Sequence, residues 1–167
     1  MESSHFDKIK SLDELTSIVD SNRKEGRNVV QCHGCFDILH TGHLRHFISA
    51  KRRSHILIVT LTPDEYINKG PDRPVFPQEQ RAELIAGLSI VDFVAVNKWA
   101  SAVETIKMLK PDLFAKGSEY ETRAEQVNPN FLIEKETIES VGGNVIFTYE
   151  FTDSSTKAFN KMKAVAS

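Results

Sequence analysis

Cysteine, tryptophan, long apolar runs and an excess of either charge are all scarce or missing in this 167-residue chain. Cys32 and Cys35 are its only cysteines, so no disulfide framework exists. None is needed, because a chain of this length buries roughly 68–70% of the surface its unfolded form exposes and folds alone. No apolar run approaches the ~20 residues of a membrane span. Met1 to Lys10 alternates charges with Phe6 and Ile9, where a signal peptide carries an unbroken apolar stretch. The 21 Lys and Arg face 23 Asp and Glu, which speaks against a generally basic nucleic-acid binder and, with ordinary apolar content, against disorder. No repeat, low-complexity tract or linker divides the sequence. The expectation is one domain over 1–167 in the cytoplasm, with reduced thiols and neither a nucleic-acid nor a membrane partner.

What is present is a regular alternation of elements. Ser11 with Glu14 three residues on makes a capping box, and Leu12, Leu15, Ile18 and Val19 follow at helical spacing until Gly26, so 1–27 reads as a leading helix and linker. Val29 and Val30 open a strand that ends at Gly34, and a helix follows from about Gly42 to Arg53. The same order returns in 56–61 with 78–88, in 93–96 with 101–109, and in 113–115 with a helix inside 124–141 that Gly142 and Gly143 close. Val145 to Tyr149 reads as a fifth strand and Ser154 to Val165 as a last helix. Strands that alternate with helices need right-handed crossovers, which predicts an α/β fold: a doubly wound, mostly parallel five-stranded sheet with helices on both faces. Ligands of such sheets sit beyond the carboxyl ends of the strands, near the reversal of strand order. The loops at 32–43, 62–77, 116–120 and 152–156 are therefore the places to look.

The first loop runs Gly34, Cys35, Phe36, Asp37, Ile38, Leu39, His40, Thr41, Gly42, His43. Two histidines around Thr-Gly at the mouth of a helix set imidazole donors beside free backbone amides and the positive helix end, which makes a phosphate site. Gly42 lets the backbone come close to the ligand. Taken alone, an H-x-x-H segment can equally be a pair of surface or capping histidines. Cys32 and Cys35 also form a C-x-x-C, open to redox or, with His40 and His43, zinc readings. A thioredoxin-like site, however, needs the first cysteine at a helix start, whereas Cys32 ends a strand, which sets Cys32 and His33 on opposite faces.

The stretch GCFDILHTGH resembles the signature of the cytidylyltransferase-like nucleotidyltransferases. Lys69-Gly70, then Arg73-Pro74-Val75 and Gln80-Arg81, is similar to a K-G-x-x-R-P-V and E-Q-R stretch in the adenylyltransferase domains of bacterial ADP-heptose synthases. Lys110-Pro111-Asp112 followed by Lys116-Gly117-Ser118-Glu119-Tyr120 resembles their R-P-D and K-G-G-D-Y, and Ser154-Ser155-Thr156 their S-T-T. The likeness runs from about Ile9 to Met162 and implies a Rossmann-like nucleotidyltransferase fold. The enzyme it implies transfers AMP from ATP to a sugar phosphate resembling heptose 1-phosphate. By this resemblance His40, His43 and Lys69 are catalytic. Gly34, Cys35, Phe36, Asp37, His40, Gly42, His43, Arg81, Lys116, Gly117, Ser118, Glu119, Ser154, Ser155 and Thr156 bind the nucleotide, the stretch 116–119 mostly through backbone, and His33, Lys69 and Arg73 bind the acceptor. Mg²⁺ is the implied cofactor, held by the nucleotide phosphates with no metal site in the protein. A homodimer and a sugar kinase acting upstream are the implied partners.

The chain also departs from the pattern. Cys32-His33-Gly34 stands where T-N-G is usual, so an imidazole replaces an amide on the acceptor side. Tyr149 and Lys116 replace an arginine and a methionine of the glycerol-phosphate cytidylyltransferases, which favours ATP over a CTP enzyme acting on a phosphorylated polyol. A non-catalytic nucleotide-binding module is the other alternative.

Overall fold

Alternating apolar side chains become, in a computed structural model, five strands: β1 (Val29–Gly34), β2 (Ile56–Leu61), β3 (Phe93–Val96), β4 (Leu113–Gly117) and β5 (Asn144–Thr148). The structure describes residues 4–122, 128–149, 160–162 and 164. The strands lie in the order β3-β2-β1-β4-β5 and every neighbouring pair is parallel, so the expected sheet is parallel throughout. Strand order reverses between β1 and β4. Helix α1 (Leu12–Lys24) leads into the sheet, and α2 (Thr41–Lys51), α3 (Gln78–Ala86), α4 (Val103–Leu109) and α5 (Asn130–Ser140) connect its strands.

Successive strand residues point to opposite faces, so each strand feeds two cores. Val30, Cys32, Leu57, Val59, Leu61, Val94 and Ala115 pack against Phe47 and Ala50 of α2 and Ala82, Ile85 and Ala86 of α3. Val29, Ile58 and Ala95 turn to the other face beneath Leu12, Leu15 and Val19 of α1, while Phe114 meets Ile106 of α4 and Ile138 of α5. Helices thus cover both faces.

At the amino end of α1 the Ser11 hydroxyl accepts from the Glu14 N–H at 3.2 Å and the Glu14 carboxylate accepts from the Ser11 N–H at 2.8 Å. Residues 5–10 are more than a linker. A 3₁₀ turn spans His5–Lys8, and the Lys10 N–H donates to the Val94 carbonyl at 2.8 Å, which covers the outer edge of β3. Two aspartates, each just before a strand, pin the amino ends of neighbouring strands. Asp92 accepts from the Leu57 N–H (2.6 Å) and from Lys51 (2.6 Å), and Asp112 from the Val29 N–H (2.7 Å).

Helix α5 is shorter than read from sequence: it begins at Asn130, after Pro129, and residues 119–122 form a separate helical turn. Gly142, at φ +88°, takes the left-handed backbone that ends it. Gly143 is required for space, since a Cβ there would stand 2.5 Å from the Pro111 carbonyl oxygen. Of the expected last helix, 160–162 are helical, while Ser154, Ser155 and Thr156 lie outside the described residues. No helix among the described residues is long and apolar enough to cross a membrane.

Candidate active site

β1 stays in register with β2 as far as Gly34 opposite Leu61, and β4 with β5 as far as Gly117 opposite Thr148. Between β1 and β4, pairing stops at Cys32 opposite Ala115. The sheet therefore splits at its carboxyl end where strand order reverses, and the crevice is flanked by His33 and Gly34 on one side and Lys116 and Gly117 on the other.

The wall beyond β1 carries the histidines. His40 caps α2: its Nδ1 accepts from the Gly42 N–H at 3.1 Å, so the proton of the neutral ring sits on Nε2. The His43 ring stacks on it, with centroids 3.8 Å apart and planes 24° apart. Phe36 meets His43 edge-on at 5.2 Å and Phe47 at 5.1 Å. The Phe36 ring also lies 3.1 Å from where a Cβ of residue 34 would be, a tight fit that a side chain there would have to push back. Burial, then His40, His46 and Lys69, pushes the His43 pKa down to about 3, so its ring is neutral at physiological pH. Its Nδ1 is buried without a hydrogen-bond partner. Lys69 is exposed, and its positive charge acts on both His43 and Cys35. Burial raises the pKa of both thiols, Cys32 within the core and Cys35 at the site.

Three residues expected to touch ligand are placed otherwise. Asp37 is buried, accepting from Arg73 Nε at 2.5 Å and from the Val75 and Phe76 N–H groups at 2.7 and 3.2 Å. Its carboxylate fastens the 73–76 segment onto the β1–α2 loop rather than a nucleotide, and the Arg73 side chain is committed to the same pair. Arg81 has no exposed surface. It donates to the carbonyls of Phe76 (3.1 Å), Cys35 (2.5 Å) and Thr62 (2.9 Å) and to the Asp64 carboxylate (2.6 Å). The planar guanidinium suits three converging carbonyls as well as it suits a phosphate, and here the carbonyls occupy it. Arg81 thus clamps the 32–43 loop to both ends of the 62–77 loop.

Across the crevice, the Lys116 ammonium turns below the sheet to Glu134 at 2.9 Å, both side chains buried, over the rings of Phe114, Tyr120 and Phe131. Any contact of Lys116 with a ligand is left to its backbone. Burial works against the Glu134 charge, yet Lys116 and His33 hold its pKa below the ordinary value. On the same face His33 bonds through Nδ1 to the Thr60 hydroxyl at 2.9 Å, and Gln31 donates to that hydroxyl at 2.9 Å. Burial and then Lys116 lower the His33 pKa to about 4. Glu119 folds over Gly117, its Oε2 standing 2.2 Å from where a Cβ of residue 117 would be, so a side chain there would displace the Glu119 carboxylate; that Oε2 is buried and unpartnered. The Ser118 N–H is held by the Thr148 carbonyl at 2.9 Å.

Sequence reading passed over His46, one turn beyond His43. Its Nδ1 lies 2.7 Å from the Thr148 hydroxyl, and burial followed by Lys116 lowers its pKa to about 4. The spacing of His40, His43 and His46 on one helix was the available signal.

A parallel sheet that splits at its switch point beside a histidine-capped helix start defines a nucleotide-handling α/β protein. The pattern of the cytidylyltransferase-like family matches residues 31–159, and the chain belongs to that family; it is a nucleotidyltransferase. It is 38% identical over 157 residues to the Bifunctional protein HldE of Sulfurimonas denitrificans, covering 93% of this chain and 31% of that protein. Against the HldE of Campylobacter fetus identity is again 38%, over 158 residues, with the same coverage. Against that of Syntrophotalea carbinolica it is 35% over 140 residues, covering 83% and 27%. The chain thus spans about three-tenths of the length of these relatives. Among solved structures, a lipopolysaccharide core biosynthesis protein from Thermoplasma volcanium superposes with a TM-score of 0.60 at 24% identity, covering 77% of this chain and 100% of that one. A pantoate-beta-alanine ligase from Francisella tularensis, complexed with beta-gamma ATP and beta-alanine, does so at 0.64 with 16% identity, covering 91% and 72%. Both likenesses speak to the fold.

Proposed function

We propose that this chain transfers the AMP unit of ATP to a sugar phosphate, releasing pyrophosphate and forming an ADP-sugar. The observation that carries this is the stacked His40 and His43 pair at the start of α2, with Lys69 beside it, on the lip of the β1/β4 crevice. A phosphate oxygen of the acceptor attacks the α-phosphorus of ATP. The bond from that phosphorus to the bridging oxygen breaks, and pyrophosphate leaves with the electron pair. The attacking oxygen is already anionic at neutral pH, so no general base is required. Catalysis comes from holding the reactants in line and from donors aimed at the charge that gathers on the leaving group. A neutral His43 suits that role, because it donates a hydrogen bond without carrying a charge that water would have to screen.

No group of three or more His, Cys, Asp or Glu able to hold a metal exists among the described residues, and Asp37 is committed to the 73–76 segment. In this reading Mg²⁺ enters with the triphosphate as part of the substrate, neutralising its charge at the reacting centre and carried chiefly by phosphate oxygens. On the far wall, the unpartnered Glu119 Oε2 and the backbone of 116–118 face the adenosine side, and His33 the acceptor. The motifs in 69–81 and 110–120 favour ATP and a heptose 1-phosphate-like acceptor. The reading includes a cytoplasmic homodimer and, fused or separate, a kinase that makes the acceptor.

The test is a screen of four nucleoside triphosphates against a panel of sugar phosphates and phosphorylated polyols, read by pyrophosphate release. ATP should exceed CTP at least tenfold in kcat/KM, a margin of about 1.4 kcal/mol. A preference for CTP with a polyol phosphate refutes the substrate assignment, and nucleotide binding without turnover refutes catalysis. His43→Ala should lower kcat by about 10² to 10³, with partial recovery in His43→Asn or His43→Gln. Full turnover in both His40→Ala and His43→Ala removes the site assignment.

A further inference from the structure

The crevice has a cross-tie. Beyond Cys32 and Ala115 nothing in the β-ladder joins the two halves of the sheet. Helix α2 continues from the β1 half and carries the stacked histidines at its start, yet one turn later His46 reaches the other half. Its Nδ1 stands 2.7 Å from Oγ1 of Thr148, the last residue of β5, which is almost fully buried. The Thr148 hydroxyl donates onward to the Lys116 carbonyl at 3.4 Å, and the Thr148 carbonyl accepts from the Ser118 N–H at 2.9 Å. With the hydroxyl proton directed at Lys116, His46 Nδ1–H is the donor to Thr148. A continuous chain of bonds therefore runs from the phosphate-binding helix to the backbone of 116–118.

We infer that His46 is a positioning residue whose bond to Thr148 sets the spacing between the histidine wall and the 116–120 wall, and hence the fit of a ligand that touches both. The inference rests on the nucleotidyltransferase reading above. A nucleotide spans the crevice, its phosphates at the start of α2 and its nucleoside toward 116–119. Inorganic pyrophosphate occupies only the helix side. Losing the tie changes the relative placement of two walls that each remain intact, so it affects the spanning ligand and spares the short one. A residue that merely fills space between α2 and β5 affects both ligands or neither.

The experiment measures, by calorimetry on the full chain with Mg²⁺, the affinities of α,β-methylene-ATP and of pyrophosphate. Thr148→Val keeps size and shape but removes the hydroxyl, and His46→Phe removes the nitrogen. His46→Asn keeps a donor close to the position of Nδ1. All are compared at a temperature where near-UV circular dichroism shows each variant folded. Thr148→Val and His46→Phe should weaken α,β-methylene-ATP about five- to tenfold, the size of one lost hydrogen bond, while pyrophosphate changes less than about twofold. His46→Asn should bind the analogue nearly as the parent does. Equal weakening of both ligands, no weakening of either, or a His46→Asn variant as poor as His46→Phe overturns the inference. A parent chain that binds neither ligand overturns the nucleotidyltransferase reading itself.

Discussion

Removing the Arg81 guanidinium tests the division of labour between scaffold and site. In Arg81→Met the carbonyls of Phe76, Cys35 and Thr62 and the Asp64 carboxylate lose a donor together. Arg81 is fully buried, while the Asp64 side chain is about one-third exposed, so water reaches the carboxylate more easily than the carbonyls. Breaking a buried, multiply bonded charge pair costs about 3–5 kcal/mol. That is a large share of the ~5–15 kcal/mol by which a domain of this kind is stable. With a urea slope of about 2 kcal/mol/M, the unfolding midpoint should fall by roughly 1.5–2.5 M. Arg81→Lys retains charge but lacks the planar fork, and should lie between parent and Arg81→Met. The assay is equilibrium urea unfolding followed by circular dichroism, paired with titration of α,β-methylene-ATP in the folded baseline. If Arg81 instead gripped phosphate, its loss would leave the midpoint in place and weaken the nucleotide by an order of magnitude or more. An unchanged midpoint in Arg81→Met refutes the clamp.

Acid should loosen the fold before carboxylates matter. Burial holds His33 and His46 near pKa 4, against 6.5 in an unfolded chain, so as pH falls the unfolded chain takes up protons first. The stability these two contribute is complete above about pH 6.5 and is lost as pH falls toward 4. Between pH 7.5 and 5.5 the loss should be roughly 1.3 kcal/mol for each, about 2.7 together, and urea unfolding midpoints that stay level across that range contradict it. Gly143→Ala drives a methyl group into the Pro111 carbonyl and Ile138, and should cost about 1–3 kcal/mol. Gly87→Ala, whose new Cβ meets nothing closer than 3.4 Å at φ −66°, should be neutral or slightly stabilising. Equal melting temperatures for the two variants refute this account of Gly143.

Local rules made much of this molecule legible in advance. The Ser11–Glu14 capping box, the β-branched runs and the spacing of strands and helices led to the element order and the parallel, two-faced sheet, because each depends on neighbours within a few residues or on a chirality all chains share. The loops that border the crevice followed from the same order. The H-x-G-H stretch was readable as histidines gathered at a helix start because that geometry is local to one helix end.

Other features were settled only by contacts between residues far apart in sequence. Arg81 and Asp37 carry the charge and shape of ligand-binding residues, and nothing local distinguishes a guanidinium that meets phosphate from one that meets the carbonyls of residues 35, 62 and 76. Lys116 likewise pairs with Glu134, eighteen positions away and on another element. His46 and Thr148 are 102 residues apart, and the spacing that sets His46 in line with His40 and His43 says nothing of Thr148 as its partner. The direction a long polar side chain takes depends on which partners the packed helices bring within about 3 Å, where a charge or a hydrogen bond is worth most once water is gone. Sequence therefore sets which loops meet at the crevice, and packing sets which of their charges are free to meet a ligand.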